Sequence, residues 1–229
     1  MYRFARAVLL DGQQSCHLTL FLIMQLWTVV GLPDISTVCL SRTMNGNNHK
    51  QKILAIAGSL REASQTRHLL STLPQMAPES MEISIYDLHD IPLYNQDVED
   101  EVGFPPEVQA FRDAIAASDG LIIATPEYNG SVPGVLKNSI DWASRQGLLA
   151  KRPVAPISGS PGALGATKAQ EHLRSILGHL GMYVLPRPAV AIPKLNDKLQ
   201  DNQITDDATQ RFVSHWLEAT GDWIDQLSK

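Results

Sequence analysis

From Lys52 onward the chain alternates short apolar runs, bounded by glycine or proline, with segments of helical length, and few folds accommodate that alternation. Lys52–Ala57 (KILAIA) has no polar residue after its lysine and stops at Gly58, as a strand buried on both faces does. Ser64 precedes a helical stretch to about Leu73, which Pro74 is expected to close. Met81–Tyr86 (MEISIY) alternates apolar and polar residues, the pattern of a strand nearer a sheet edge. Pro105–Pro106 opens a helix through Ala117, with Val108, Phe111 and Ile115 on one face. Gly120–Ala124 (GLIIA) is the next buried strand, Val135–Ser144 a helix, and Pro153–Ile157 (PVAPI) a strand in spite of its prolines. A long helix is expected from Leu164 to Leu180, ended by Gly181, and Tyr183–Ile192 holds the last strand. The tail reads as a helix from about Asp207 to Leu227, with Phe212, Trp216, Trp223 and Leu227 sharing a face.

Strands separated by helices of this length imply parallel β-α-β units with right-handed crossovers. Five strands and five helices point to an α/β chain with a flavodoxin-like, doubly wound parallel sheet of order 2-1-3-4-5 and helices on both faces. At 229 residues and 44% hydrophobic content there is material for one sizeable domain with a buried core. A net charge of −5 with no cluster of Lys and Arg argues against a nucleic-acid partner, leaving a small molecule. Only Cys16 and Cys39 are present, so the region after Met44 holds no disulfide, C-x-x-C pair or cysteine-ligated cluster. Redox chemistry there requires an organic cofactor. The seven histidines form no i, i+4 pair and no H-E-x-x-H run, so no metal site is expected.

Residues 1–50 are expected to form an N-terminal extension outside the fold. Arg3 and Arg6 precede an uncharged apolar run, Leu18 to Leu32, which falls short of the ~20 residues of a membrane span. A targeting segment is one reading, but no small-residue cleavage site follows and Asp11 interrupts the basic start. The preferred reading is an upstream start assigned in error, with Met44 as the first residue.

In an open parallel sheet, ligands bind beyond the carboxyl ends of the strands at the topological switch point. The loops after the first, third and fourth strands all have unusual composition. The first runs Gly58-Ser59-Leu60-Arg61-Glu62-Ala63-Ser64-Gln65-Thr66-Arg67. Its amides open a helix, its hydroxyls at Ser59, Ser64 and Thr66 donate hydrogen bonds, and Arg61 adds charge-assisted ones, a set suited to a terminal phosphate. The spacing matches neither a Walker loop nor G-x-G-x-x-G. Taken alone, the segment reads equally as a polar turn with Ser64 as an ordinary helix cap.

The second loop, Thr125-Pro126-Glu127-Tyr128-Asn129-Gly130-Ser131-Val132-Pro133-Gly134, is stiffened by two prolines. Tyr128 can wall a planar ring, and Glu127 and Asn129 can supply polar contacts at its edge. The third, Ser158-Gly159-Ser160-Pro161-Gly162-Ala163-Leu164-Gly165, is built of small residues that permit close approach.

The segments Gly58–Ser64 (GSLREAS) and, above all, Thr125–Arg145 (TPEYNGSVPGVLKNSIDWASR) resemble the NADPH-dependent FMN reductase family, whose relatives include quinone, chromate and azo-dye reductases. The resemblance spans approximately Lys52 to Ile192 and makes residues 51–229 a flavodoxin-like, FMN-binding reductase domain. It implies FMN held without a covalent bond. By position, Ser59, Arg61, Ser64, Gln65 and Thr66 would hold the phosphate; Pro126, Glu127, Tyr128 and Asn129 would line the isoalloxazine; and Ser158, Gly159 and Ser160 would close the other side. Pro161 and Ala163 interrupt a loop that is richer in glycine in many relatives.

The resemblance also implies NAD(P)H as co-substrate in a two-step exchange. The acceptor would be a quinone, metal oxyanion, azo compound, free flavin or oxygen. No catalytic acid or base is nominated. A cytoplasmic homodimer or homotetramer without membrane contact for the main domain is expected, with the flavin near a subunit interface. Tyr94, in the segment Ile91–Asp97, either reaches a neighbouring subunit's site or is a satisfied surface tyrosine. The rival functions are a flavodoxin-type electron carrier, disfavoured by Arg61 and by the modest net charge, and a flavin-binding regulatory protein.

Overall fold

A computed structural model describes residues 50–228, and the expectations placed on residues 1–49 lie outside them. The central sheet has six strands, all parallel, five of them in the order β2-β1-β3-β4-β5: β1 (Gln51–Ala57), β2 (Met81–Tyr86), β3 (Gly120–Thr125), β4 (Pro153–Gly159) and β5 (Tyr183–Val184), with a sixth paired to the end of β4. The expected 2-1-3-4-5 order is therefore the observed one. Among the described residues six helices of more than one turn accompany it: α1 (Gln65–Met76), α2 (Gln96–Val102), α3 (Pro106–Ala116), α4 (Gly134–Ser144), α5 (Thr167–His179) and α6 (Asp207–Leu227). Among the described residues no helix is long and apolar enough to cross a membrane.

The period of two along each strand divides the core into two layers. Ile53, Ala55, Ile122, Ala124, Ala155 and Ile157 face α1 and α6, where Leu69, Leu70, Leu73, Val213, Trp216 and Leu217 meet them. Leu54, Ile56, Leu121, Ile123 and Val154 face the other way, against Phe111 and Ile115 of α3, Leu136 and Ile140 of α4, and Leu173 and Leu177 of α5. All six residues of β3 are buried, which explains the absence of a polar residue from GLIIA.

Several boundaries differ from the sequence expectation, each for a local reason. Pro74 lies inside α1 rather than closing it. A proline forfeits one bond to the preceding turn, but Leu69, Leu70 and Leu73, all fully buried, hold the last turn on the sheet. α5 begins at Thr167, not Leu164, because Gly165 and Ala166 both have left-handed backbones (φ +61° and +65°).

The last strand is two strands on one edge. β5 pairs with the start of β4, whereas β6 (Val190–Ile192) pairs with its end. Pro186 and Pro188 between them have no N–H to continue the ladder. The stripe α6 buries is Val213, Trp216, Leu217, Thr220 and Ile224, centred one residue later than expected, and Phe212 is 42% exposed. Helix α2 and a two-stranded hairpin, β7 (Leu199–Gln200) with β8 (Gln203–Ile204), were not expected. Both are short, and the polar run Asn95–Asp100 has too little apolar periodicity to mark a helix.

The strap between β2 and α3 is pinned to α4. The Asn138 amide donates to the Pro92 carbonyl (2.8 Å) and accepts from the Tyr94 N–H (2.7 Å), while the Trp142 indole also donates to Pro92 (2.9 Å). Arg112, largely buried, donates to the carbonyls of Trp142, Ala143 and Arg145 at the end of α4 and lies 3.9 Å from the centre of the Phe104 ring. A guanidinium so placed satisfies carbonyls that a helix end leaves open.

Because Ile122 is fully buried in the central strand, Ile122→Ala is expected to lower the unfolding free energy by about 2–5 kcal/mol. Urea denaturation measures this as a lower midpoint with an unchanged slope.

Candidate functional site

The parallel register brings the ends of three strands side by side: Ala57 lies opposite Ala124, and Thr125 opposite Ser158. The loops that leave β1, β3 and β4 therefore rise from neighbouring points on one rim. Together they line one open cleft at that rim.

Loop 1 supplies Ser59, Arg61, Ser64, Gln65 and Thr66 to the wall, all five of its expected residues. Gly58 is needed for close approach: a Cβ there would meet Leu136 Cδ2 at 3.0 Å and the Ala124 carbonyl at 3.2 Å. The Ser64 hydroxyl accepts from the Arg67 N–H (3.3 Å) and lies 3.0 Å from the Thr66 hydroxyl. Ser64 is thus both the cap of α1 and part of the wall, so the two readings of this residue are compatible. Ser59, Ser64 and Thr66 are all buried, and the first-turn amides of α1 have no carbonyl within the helix to bond. Hydroxyls, open amides and the exposed guanidinium of Arg61 at one helix start fit an anionic group such as a phosphate. Arg67, by contrast, turns outward to Asp87 (2.8 Å).

Loop 2 contributes Pro126, Glu127 and Tyr128. Tyr128 is 43% exposed, and its hydroxyl lies 3.1 Å from that of Ser59, bridging loops 1 and 2. Glu127 reaches the other way, its carboxylate accepting from the Ala169 N–H of α5 (3.3 Å). Asn129 is not part of the wall. It and Gly130 have positive φ (52° and 74°), and the Tyr128 and Ser131 backbones exchange both hydrogen bonds across them (3.0 and 3.1 Å). This is the two-residue Asn-Gly turn of a tight hairpin, in which both central residues need left-handed backbones.

Loop 3 contributes Gly159, Ser160 and also Pro161. Ser158 is withdrawn: it lies within β4, fully buried, donating to the Gly165 carbonyl (2.8 Å) and accepting from the Gln170 amide (3.2 Å). Its hydroxyl is spent below the rim. The Ser160 backbone is fastened to the end of β6 and the segment that follows it, its N–H donating to the Ile192 carbonyl (3.2 Å) and its carbonyl accepting from the Leu195 N–H (2.9 Å).

Ten of the twelve expected residues thus line one cleft, without Asn129 and Ser158. Pro161 was visible only as an interruption of the third loop, and Gln170, which braces Ser158, left no sequence signal. Tyr94 lies away from the cleft wall. Its hydroxyl donates to Glu99 (3.0 Å), and its ring is edge-on to Trp142.

The profile of the NADPH-dependent FMN reductase family matches residues 51–197. An NAD(P)H-dependent FMN reductase of Pseudomonas aeruginosa is 40% identical over 179 residues, covering 77% of this chain and 96% of that protein. A quinone reductase of Escherichia coli is 39% identical over 185 residues, covering 79% of this chain and 98% of that protein. Among solved structures, a flavoenzyme NAD(P)H:(acceptor) oxidoreductase from Paracoccus denitrificans matches with a TM-score of 0.71 at 34% identity, over 77% of this chain and 98% of that one.

If Asn129 serves the turn, Asn129→Gly keeps stability within about 0.5 kcal/mol, whereas Asn129→Val, forced into a left-handed backbone, costs about 1–2 kcal/mol. Paired denaturation curves of the two variants make the comparison.

Proposed function

This chain belongs to the NADPH-dependent FMN reductase family, and from that premise we propose that it reduces quinones in the cleft between loops 1, 2 and 3. As a member it is an NAD(P)H-dependent oxidoreductase with FMN as cofactor. When bound, FMN supplies the relay of electrons from a nicotinamide to an acceptor. The protein's part is to hold, orient and shield.

The observation that carries the reading is the convergence of hydroxyls and the Arg61 guanidinium with Pro126, Tyr128 and Pro161 in a single cleft. Ser59, Arg61, Ser64, Gln65 and Thr66 would take the phosphate by charge-assisted and hydroxyl hydrogen bonds at the start of α1. Pro126, Tyr128 and the small residues Gly159 and Ser160 would flank the ring, with Tyr128 shaping the face open to substrate. No side chain in the wall is assigned a proton-transfer role.

The E. coli relative is a quinone reductase by name, which supports a quinone as the acceptor. Metal oxyanions, azo compounds, free flavin and oxygen are further acceptors of the same open site. A homodimer or homotetramer is part of the proposal, supported by Leu93 and Val102, 85% and 74% exposed on the strap beside α4.

The test is direct. Purified protein is expected to be yellow and to oxidise NADH or NADPH with a quinone in steady state. A colourless protein that takes up no added FMN overturns the proposal, and a yellow one inert to both nicotinamides points to the electron carrier. Arg61→Ala removes a charge-assisted contact and is expected to weaken FMN binding about 10- to 150-fold, read by flavin fluorescence titration of the apoprotein.

A further inference from the structure

We propose that Glu127 is a positioning residue, whose carboxylate caps the otherwise uncapped start of α5 and so fixes loop 2 against the cleft. The inference rests on the flavin-site reading for what loop 2 presents, but not for the cap itself.

Helix α5 cannot cap itself. At the position where a helix normally recruits Ser, Thr, Asp or Asn, it has Ala166, with a left-handed backbone and no acceptor. The next hydroxyl, of Thr167, donates back to the Leu164 carbonyl and takes no amide. The acceptor comes instead from Glu127, 42 residues earlier, at the Ala169 N–H. A carboxylate there meets an open amide and the positive end of the helix dipole together.

The second limb of loop 2 is tied to the same helix. The Ser131 hydroxyl lies 3.0 Å from His172 Nδ1, three residues beyond Ala169 and on the same face of α5. Glu127 and Ser131 flank the Asn-Gly turn, so α5 holds both legs of the hairpin that carries Tyr128. The helix is in turn fastened to the sheet by Gln170, whose amide donates to Ser158 and to the Val190 carbonyl. Glu127 is therefore the hinge pin between the wall of loop 2 and the frame of loop 3. Its contact with a flavin ring, implied by position in the family, is secondary to this anchor.

Amide hydrogen exchange of the apoprotein tests the cap without any cofactor. In Glu127→Ala, exchange in the first turn of α5 and in residues 127–131 is expected to rise about 2- to 30-fold. Flavin affinity is expected to fall alongside. Glu127→Gln, which keeps an acceptor oxygen, is expected to fall between the two, and it replaces the alanine variant should that fail to fold. Adding Thr167→Asp to Glu127→Ala returns an anion to the helix start and is expected to restore protection there.

Unchanged exchange in Glu127→Ala or Glu127→Gln with a loss of FMN affinity would make Glu127 a direct flavin ligand and overturn the proposal. Unchanged exchange with unchanged affinity overturns it equally. Failure of the wild-type protein to bind FMN would refute the function proposed above while leaving the exchange result to decide the cap.

Discussion

Everything at the functional end depends on the parallel register of β1, β3 and β4. Neighbouring strands lie about 4.8 Å apart, and β1, β3 and β4 stop at nearly the same height, Ala57 beside Ala124 and Thr125 beside Ser158. Three turns that are remote in sequence are thereby forced to emerge from one short stretch of rim. The fully buried β3 sits between the other two and cannot slip, because a one-residue shift would exchange the residues that face the two core layers. Convergence of the loops is a property of the sheet before it is a property of the loops.

Loop 2 then acts as a crossbar. Tyr128 bonds to Ser59 on one side, and Glu127 to the start of α5 on the other. The division of labour matches the family chemistry. In this family FMN carries the electrons, and the chain contributes geometry. A stiff hairpin between two anchored loops provides a stable wall without a large apolar core of its own.

The strand order and most of the cleft were legible because wholly apolar runs are rare outside buried parallel strands, and because each loop followed such a run. Individual side chains were harder to place. Ser158 is the last residue but one of a strand paired on both edges, so no alternation tells whether its hydroxyl points to the cleft or to the Gly165 carbonyl. Asn129 belongs to a dipeptide with a strong turn signal, yet polar chemistry beside a tyrosine reads equally as a ligand contact. The start of α5 was misplaced by the same ambiguity: Leu164 fits the helical period, and only backbone conformation at Gly165 and Ala166 excludes it. Sequence pattern reports burial and period well; it is blind to which of two partners a polar group takes.

The broken outer strand has a consequence for life in a crowded solution. An open sheet presents a row of unpaired backbone groups at each margin, a template on which another chain can polymerise. Here the margin beyond β4 is covered by two stubs, β5 and β6, separated by Pro186 and Pro188. Neither stub is long enough to template a partner strand, and the prolines deny one the donors it would need. The irregularity that obscured this strand in the sequence thus also guards the protein against edge-to-edge aggregation.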